Sequence, residues 1–161
     1  DAGEYRSHMY FRAVPEESAL GLEEQLEDTT AIGIRLTPIF GITIPVIVRS
    51  GDLSVEVSLN NLSEENSKDS TAKLKLTFNR EGNKSVYGDL TVDYKPDRGS
   101  AIQVGLVRGI SVYTPNATRR FEMDIKKPEG VDFTKGKLVV RYTNAEGDNE
   151  NLLAEKELLL E

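Results

Sequence analysis

The stretch from Ile32 to Val48 limits most strongly what this chain can fold into. Every even-numbered position in it is apolar, and the odd positions are mostly small or polar. A period of two is typical of a β-strand, because successive side chains point to opposite faces. One strand of this length would extend roughly 55 Å, about three times the usual length. Burial of its large side chains is worth on the order of 12–24 kcal/mol. We therefore predict that another copy, a bound chain or the second domain covers part of it.

Two prolines in this stretch leave two interpretations open. Pro38 and Pro45 differ in parity, so each edge of a continuous strand would lack one backbone donor. That arrangement favours a strand that changes partners along its length. The alternative is a hairpin that turns at residues 37–41, where Pro38 and Gly41 suit a turn.

The rest of the chain also alternates with a period of two. Residues 5–14 predict a strand that ends at Pro15, and seven further candidates follow at 53–59, 72–78, 86–94, 102–112, 119–125, 137–142 and 152–160. Turn residues separate the seven, and the polar stretch 63–71 is predicted to be a loop. Short, regularly spaced strands indicate an all-β fold with an antiparallel β-sandwich. We expect a hairpin over residues 1–50 and the sandwich over 51–161.

Composition argues against several classes of function. The 161 residues carry a formal net charge of −7 and include no Cys and a single His, His8. An acidic chain is a poor fit to nucleic acid, and no apolar run is long enough to insert into a membrane. We expect no metal site, no cofactor and no enzymatic activity, with His8 an ordinary strand residue. Asp89 and Asp93 share one strand face, which we interpret as a solvated face rather than an acid–base pair.

The segment 5–15 has the sequence Tyr-Arg-Ser-His-Met-Tyr-Phe-Arg-Ala-Val-Pro. It resembles the sixth strand of domain one in the PapD-like periplasmic chaperones of pilus assembly. Residues 16–30 resemble the mobile loop that follows it, and residues 32–49 resemble the long G strand. Residues 51–161 resemble the second domain, and the segment 105–120 is similar to a divergent branch of the family. The resemblance implies an immunoglobulin-like fold for the sandwich. It also implies that about five strands of domain one would precede Asp1.

The resemblance implies that the protein binds subunits by β-strand donation, a form of β-augmentation. Subunits of such fibres are sandwiches that lack their last strand, and the chaperone lends its G strand to them. The side chains implied to enter the subunit are Ile32, Ile34, Leu36, Phe40, Ile42, Ile44, Val46 and Val48. The family also anchors the subunit's C-terminal carboxylate with an Arg on the first strand and a Lys on the G strand. Here Thr43 lies near that Lys position and the first strand is absent, so Arg35 and Arg49 are the candidate anchors.

The expected function is therefore that of a periplasmic chaperone-like protein in pilus or surface-fibre (fimbrial) biogenesis. Its expected partners are a pilin-like or fibre subunit, an outer-membrane usher, and a second copy through strand exchange. The alternative is a structural or adhesin module of a surface appendage that polymerises by strand exchange.

Overall fold

The computed structural model describes residues 1–14, 38–66, 70–130, 133–146 and 149–160. These ranges contain strands and no helix, which confirms the predicted all-β fold class. The strands are β1 (Gly3–Arg12), β2 (Gly41–Ser50), β3 (Val55–Asn66), β4 (Thr71–Gly82), β5 (Val86–Lys95), β6 (Ile102–Val112), β7 (Thr118–Lys126), β8 (Lys137–Glu146) and β9 (Asn149–Leu159).

Strands β3 to β9 form the two sheets of a β-sandwich. One sheet has the order β3-β4-β7 and the other has the order β6-β5-β8-β9. Each of these neighbouring pairs is antiparallel. The sheets also meet at both margins, because β3 contacts β9 and β6 contacts β7. Two layers are the expected result, since each sheet must bury its apolar face against another layer.

Alternation along β4 shows how the sandwich core is built. The side chains of Ala72, Leu74, Leu76 and Phe78 are all buried, while the residues between them are only partly so. The Phe78 ring packs edge-on against Tyr142 of β8, with a centroid distance of 5.0 Å. Alternate residues of β5, β7 and β8 fill the same core, and those of β5 and β7 are the ones that the sequence pattern predicts.

The pattern predicted for β6 is only partly correct. Val104, Ile110 and Val112 are buried as expected, but Ile102 and Leu106 are exposed. The pairing of β5 with β6 shifts register twice, between Gly88 and Leu90 and between Val92 and Asp93. An extra residue in a strand reverses the face of the residues between it and the next bulge, which turns Leu106 away from the core and Val107 toward it. Ile102 is the first residue of the strand.

The predicted loop at residues 63–71 is wrong over its first part. Strand β3 continues to Asn66, beyond a register shift between Asn60 and Ser63. Asn61 has a φ of 52° at this irregularity, a conformation that Asn tolerates better than most residues. The polar sequence is compatible with a strand here because β3 is the edge of its sheet. Residues 67–69 lie outside the described residues.

Strands β1 and β2 pair with each other in a separate two-stranded sheet, called the ribbon below. Strand β1 confirms the strand predicted at residues 5–14. A continuous strand over 32–48 is wrong in the described residues, because β2 begins at Gly41 and residues 38–40 are not in a strand. A strand that begins at Gly41 fits the second strand of the alternative hairpin, which turns at residues 37–41. The first strand of that hairpin lies outside the described residues.

The chain divides into two compact units. One comprises Asp1–Tyr5 together with Arg49–Glu161, and the other comprises Arg6–Val48. In the first unit, Glu4 joins β1 to the sandwich through its backbone. Its N–H donates to the carbonyl of Asn83 at 2.9 Å, and its carbonyl accepts from Thr114 Oγ1 at 3.0 Å.

Candidate partner-binding surface

The register of the ribbon follows from contacts at its two ends. The N–H of Ala13 donates to the carbonyl of Phe40 at 2.9 Å. At the other end, Arg49 Nε donates to Glu4 Oε2 at 3.0 Å. Both contacts fit a single antiparallel register in which residue 13 faces residue 40 and residue 4 faces residue 49. A Cβ on Gly41 would also meet the ring of Tyr10, its diagonal neighbour in this register.

This register places most of the large apolar side chains of the ribbon on one face. Odd residues of β1 share that face with even residues of the 40–48 segment, because paired residues point the same way. We call this set the apolar face: Tyr5, Met9, Phe11, Phe40, Ile42, Ile44, Val46 and Val48.

The apolar face is exposed along its length. Phe40 is 76% exposed and Ile42 is 67% exposed. Tyr5, Met9, Phe11, Ile44 and Val48 are each exposed for about half of their surface, and Val46 is half-buried. The exposed side chains sum to on the order of 700 Å², above the ~300–600 Å² of the largest apolar patch on a typical monomer. An exposed apolar surface of this size marks a site of interaction with another molecule.

The opposite face of the ribbon mixes polar and cationic side chains with the exposed Ile47. It carries Arg6, His8, Tyr10 and Arg12 from β1. The described residues of the second unit, 6–14 and 38–48, include no Asp or Glu. The two faces of the ribbon therefore differ, because apolar side chains dominate one and polar, cationic and apolar side chains share the other.

The structure brings five of the eight predicted binding residues together. Phe40, Ile42, Ile44, Val46 and Val48 all lie on the apolar face. Ile32, Ile34 and Leu36 lie outside the described residues. Sequence reasoning missed the contribution of Tyr5, Met9 and Phe11 to this face. Their alternation along β1 was a usable signal, but only the pairing of β1 with β2 shows that they share a face.

The two candidate carboxylate anchors differ in what can be said of them. Arg35 lies outside the described residues. Arg49 already contacts the side chain of Glu4, which is fully buried while that of Arg49 is half-exposed. An Arg49 that also bound a partner's carboxylate would have to share its guanidinium with Glu4.

Other acidic and basic groups in the sandwich have structural partners. Asp93 accepts a hydrogen bond from Arg141 Nη1 at 2.6 Å, and Asp89 accepts one from the N–H of Gly109 at 2.9 Å. The two side chains lie on a partly exposed strand face, with 42% of Asp89 and 15% of Asp93 exposed, and each also takes part in local structure. His8 is an exposed residue of β1.

A shallow depression of about 700 Å³ lies on the β3-β4-β7 sheet, lined in part by Lys75, Arg120 and Glu122. Its lining mixes both signs of charge with apolar groups, and it indicates no particular ligand. Within the described ranges, no group of three or more His, Cys, Asp or Glu residues is placed to hold a metal ion. The same ranges contain no helix long and apolar enough to cross a membrane.

Comparison of the chain with protein-family models, with curated proteins and with solved structures finds no match.

Proposed function

We propose that this protein is a chaperone-like protein of pilus or surface-fibre assembly, and that it binds β-structured subunits through the ribbon. The observation that carries this proposal is the exposed apolar face on a two-stranded sheet. A sheet with an uncovered apolar face is stabilised when another β-structure packs on it or adds a strand to it.

The topology of the sandwich supports the family resemblance. When the strands are lettered in chain order, the sheet β3-β4-β7 reads A-B-E, and β5, β8 and β9 of the other sheet read C, F and G, with β6 beside C. Immunoglobulin-type sandwiches also divide A, B and E from C, F and G, which supports the proposal. An immunoglobulin-like domain after a two-stranded ribbon is the order that the resemblance implies. The periplasmic location is proposed on the resemblance alone.

The proposal is tested with purified protein and a fibre subunit that lacks its last strand. The control subunit carries the missing strand fused in place, so that its groove is filled. We expect calorimetry to show binding to the open subunit and none to the filled one. Absence of binding to the open subunit, or equal binding to both, would overturn the proposal.

Two adjacent positions of β2 supply matched variants for that experiment. Ile42→Asp places a charge on the apolar face, whereas Thr43→Asp places the same charge on the opposite face. Because a buried Ile side chain contributes about 1.5–3 kcal/mol, Ile42→Asp should weaken binding by about tenfold or more. Thr43→Asp should change it by less than about threefold. Equal effects at both positions would show that the apolar face is not the contact.

A polymerising structural module remains the second candidate, because in the described residues each ribbon strand has one edge with no paired strand. Such edges can pair with those of another copy. Sedimentation across a range of protein concentrations distinguishes the two functions. Growth of long assemblies by the chain alone favours the module, whereas a small species that takes up the open subunit favours the chaperone.

A further inference from the structure

The apolar face has the size of one side of a stable dimer interface. Its exposed side chains sum to on the order of 700 Å². Two such faces packed together would remove about 1,400 Å² from solvent, and stable protein interfaces bury about 1,200–2,000 Å² counting both partners. A second copy of this chain therefore supplies an area that matches what a stable contact needs.

Charge does not oppose contact between two copies at this face. The net charge of −7 disfavours association of the chain with itself in general. The large side chains of the apolar face are uncharged, however, and so are Ser7 and Ala13, which have the same orientation. The described part of the ribbon also contains no Asp or Glu. Face-to-face packing of two ribbons therefore brings no like charges together in the contact.

The architecture of the ribbon also suits a partner of its own kind. A two-stranded sheet is only marginally stable by itself in water. Sheets cover their apolar faces by packing on one another about 10 Å apart, as the two sheets of the sandwich do in this chain. Two ribbons packed face to face would likewise form a two-layered body of four strands, and neither copy needs a preformed pocket.

The register identifies the centre of such a contact. Met9 of β1 pairs with Ile44 of β2 in the register established above. This pair lies midway along the apolar face, between the pair formed by Tyr5 and Val48 at one end and Phe40 at the other. A twofold axis through the middle of the face would therefore place Ile44 of one copy close to Ile44 of the other.

We propose that two copies of this chain pack their ribbons together through the apolar face and form a closed, twofold-symmetric dimer. The contact uses the same surface on both copies, so assembly stops at two. Side chains rather than main-chain hydrogen bonds form it, which distinguishes it from strand exchange. Dilution below the Kd separates the copies and exposes the face again. One consequence rests on the proposed function: a fibre subunit and the second copy compete for the same face.

Sedimentation of the full chain without any subunit tests the dimer directly. We expect a monomer–dimer equilibrium with a Kd of about 100 µM or tighter and no larger species. A chain that stays monomeric well above that concentration would overturn the inference. Growth beyond the dimer would also overturn it, because an open series of contacts points to the strand edges instead.

Neighbouring positions of β2 test which face forms the contact. Ile44→Asp places a charge at the centre of the apolar face, whereas Thr43→Asp places the same charge on the opposite face. Each lost Ile contact should weaken association by about tenfold or more, and twofold symmetry changes both copies, so we expect a loss of about hundredfold or more for Ile44→Asp. Thr43→Asp should change the Kd by less than about threefold. Equal losses would exclude the apolar face.

Mixing variants of opposite charge tests the symmetry and shows that the variants still fold. Ile44→Asp and Ile44→Lys should each be monomeric alone, because the dimer would bring like charges together at its centre. An equal mixture should associate at least about tenfold more tightly than either variant alone, because each mixed dimer then holds one charge of each sign. Failure of the mixture to associate would overturn the twofold packing centred on Ile44.

The experiments separate failure of the dimer from failure of the proposed function. If the chain stays monomeric but binds the open subunit, the dimer is wrong while the function stands. If the chain dimerises but does not bind the open subunit, the function is wrong while the dimer stands. When both hold, the open subunit should convert the dimer into a complex of one chain with one subunit, and the filled subunit should leave the dimer intact.

Discussion

The sandwich and the ribbon are built from the same sequence pattern but differ in what covers them. In β4 of the sandwich, Phe78 is fully buried, and its alternate neighbours are buried as well. In the ribbon, Phe40 and Ile42 obey the same alternation but remain largely exposed. Alternation therefore predicts which side chains share a face, and only the presence of a second layer decides whether that face is buried. The difference is also what makes the ribbon a candidate binding surface.

The largest expected contrast between the two regions is at phenylalanine. Phe78→Ala should lower the free energy of unfolding by about 3–5 kcal/mol, because it leaves a cavity between Tyr142 and Phe121. Phe40→Ala should lower it by less than about 0.5 kcal/mol, since its side chain is exposed. Urea unfolding followed by circular dichroism measures both. A large loss for Phe40→Ala would mean that the apolar face is covered within the molecule.

Glycine gives the second contrast. A Cβ on Gly88 of β5 would collide with the backbone carbonyl of Thr143, which cannot move without disturbing the sheet. Gly88→Ala should therefore cost about 1–3 kcal/mol. A Cβ on Gly41 would meet only the ring of Tyr10, an exposed side chain that can turn aside. Gly41→Ala should leave the free energy of unfolding nearly unchanged in the same experiment. If Gly41→Ala and Gly88→Ala lowered it by similar amounts, the ring of Tyr10 would be held in place and the ribbon would be rigid.

Tyrosine hydroxyls give a smaller contrast. Tyr142 is fully buried and donates to the carbonyl of Ile110 at 2.7 Å. Tyr142→Phe should cost about 1–2 kcal/mol, because the carbonyl loses its partner. Tyr10→Phe, at an exposed hydroxyl, should change stability by less than about 0.3 kcal/mol. Equal losses of stability in Tyr142→Phe and Tyr10→Phe would show that burial of the hydroxyl does not set the size of the effect.

Burial also makes Tyr142 a source of pH dependence. Desolvation raises the pKa of Tyr142 well above its ordinary value of 10.0. The unfolded chain releases this proton above about pH 10 while the folded chain retains it, so stability falls as the pH rises past that point. The free energy of unfolding, measured at about pH 9 and about pH 11, should fall between these two values in the wild type. It should fall by less in Tyr142→Phe. Equal falls would assign the effect to other groups.

The smallest contrast is at arginine. Arg141 joins two strands of the sandwich by donating to Asp93 at 2.6 Å and to Glu155 at 3.1 Å. Its pKa is raised, mainly by the hydrogen bond to Asp93. Arg141→Met should cost about 0.5–1 kcal/mol, a low figure because solvent reaches these side chains. Arg12→Met on the ribbon should be neutral. The Arg141 effect should shrink in about 1 M salt, and an undiminished loss would assign it to packing.

Much of the sandwich could be predicted from local pattern, but its irregular positions could not. The parity of β4 holds from Ala72 to Phe78 because that strand pairs without a bulge toward β7. The parity of β6 fails because bulges are set by its pairing with β5. Arg80 is a further surprise, since it is buried and donates to the carbonyls of Gly82, Lys84 and Asn116. Those carbonyls come together only when separate turns meet, which no local pattern indicates.

The candidate site was predictable to a similar degree. Alternation alone groups Phe40, Ile42 and Ile44 on one face of a strand. It does not show that β1 pairs with that strand, nor in which register the two strands pair. Register depends on hydrogen bonds between residues about thirty or more positions apart, and a one-residue slip would move every side chain to the other face.

By itself, the sequence determined that this chain is all-β, where most strands lie, and which of their residues share a face. Those properties follow from the two-residue period of an extended backbone, which is local. The tertiary structure decided which strands pair, where bulges reverse a face, and which apolar face is left uncovered. Those properties depend on contacts between distant segments, and burial is a property of the neighbours that a face acquires rather than of the face itself.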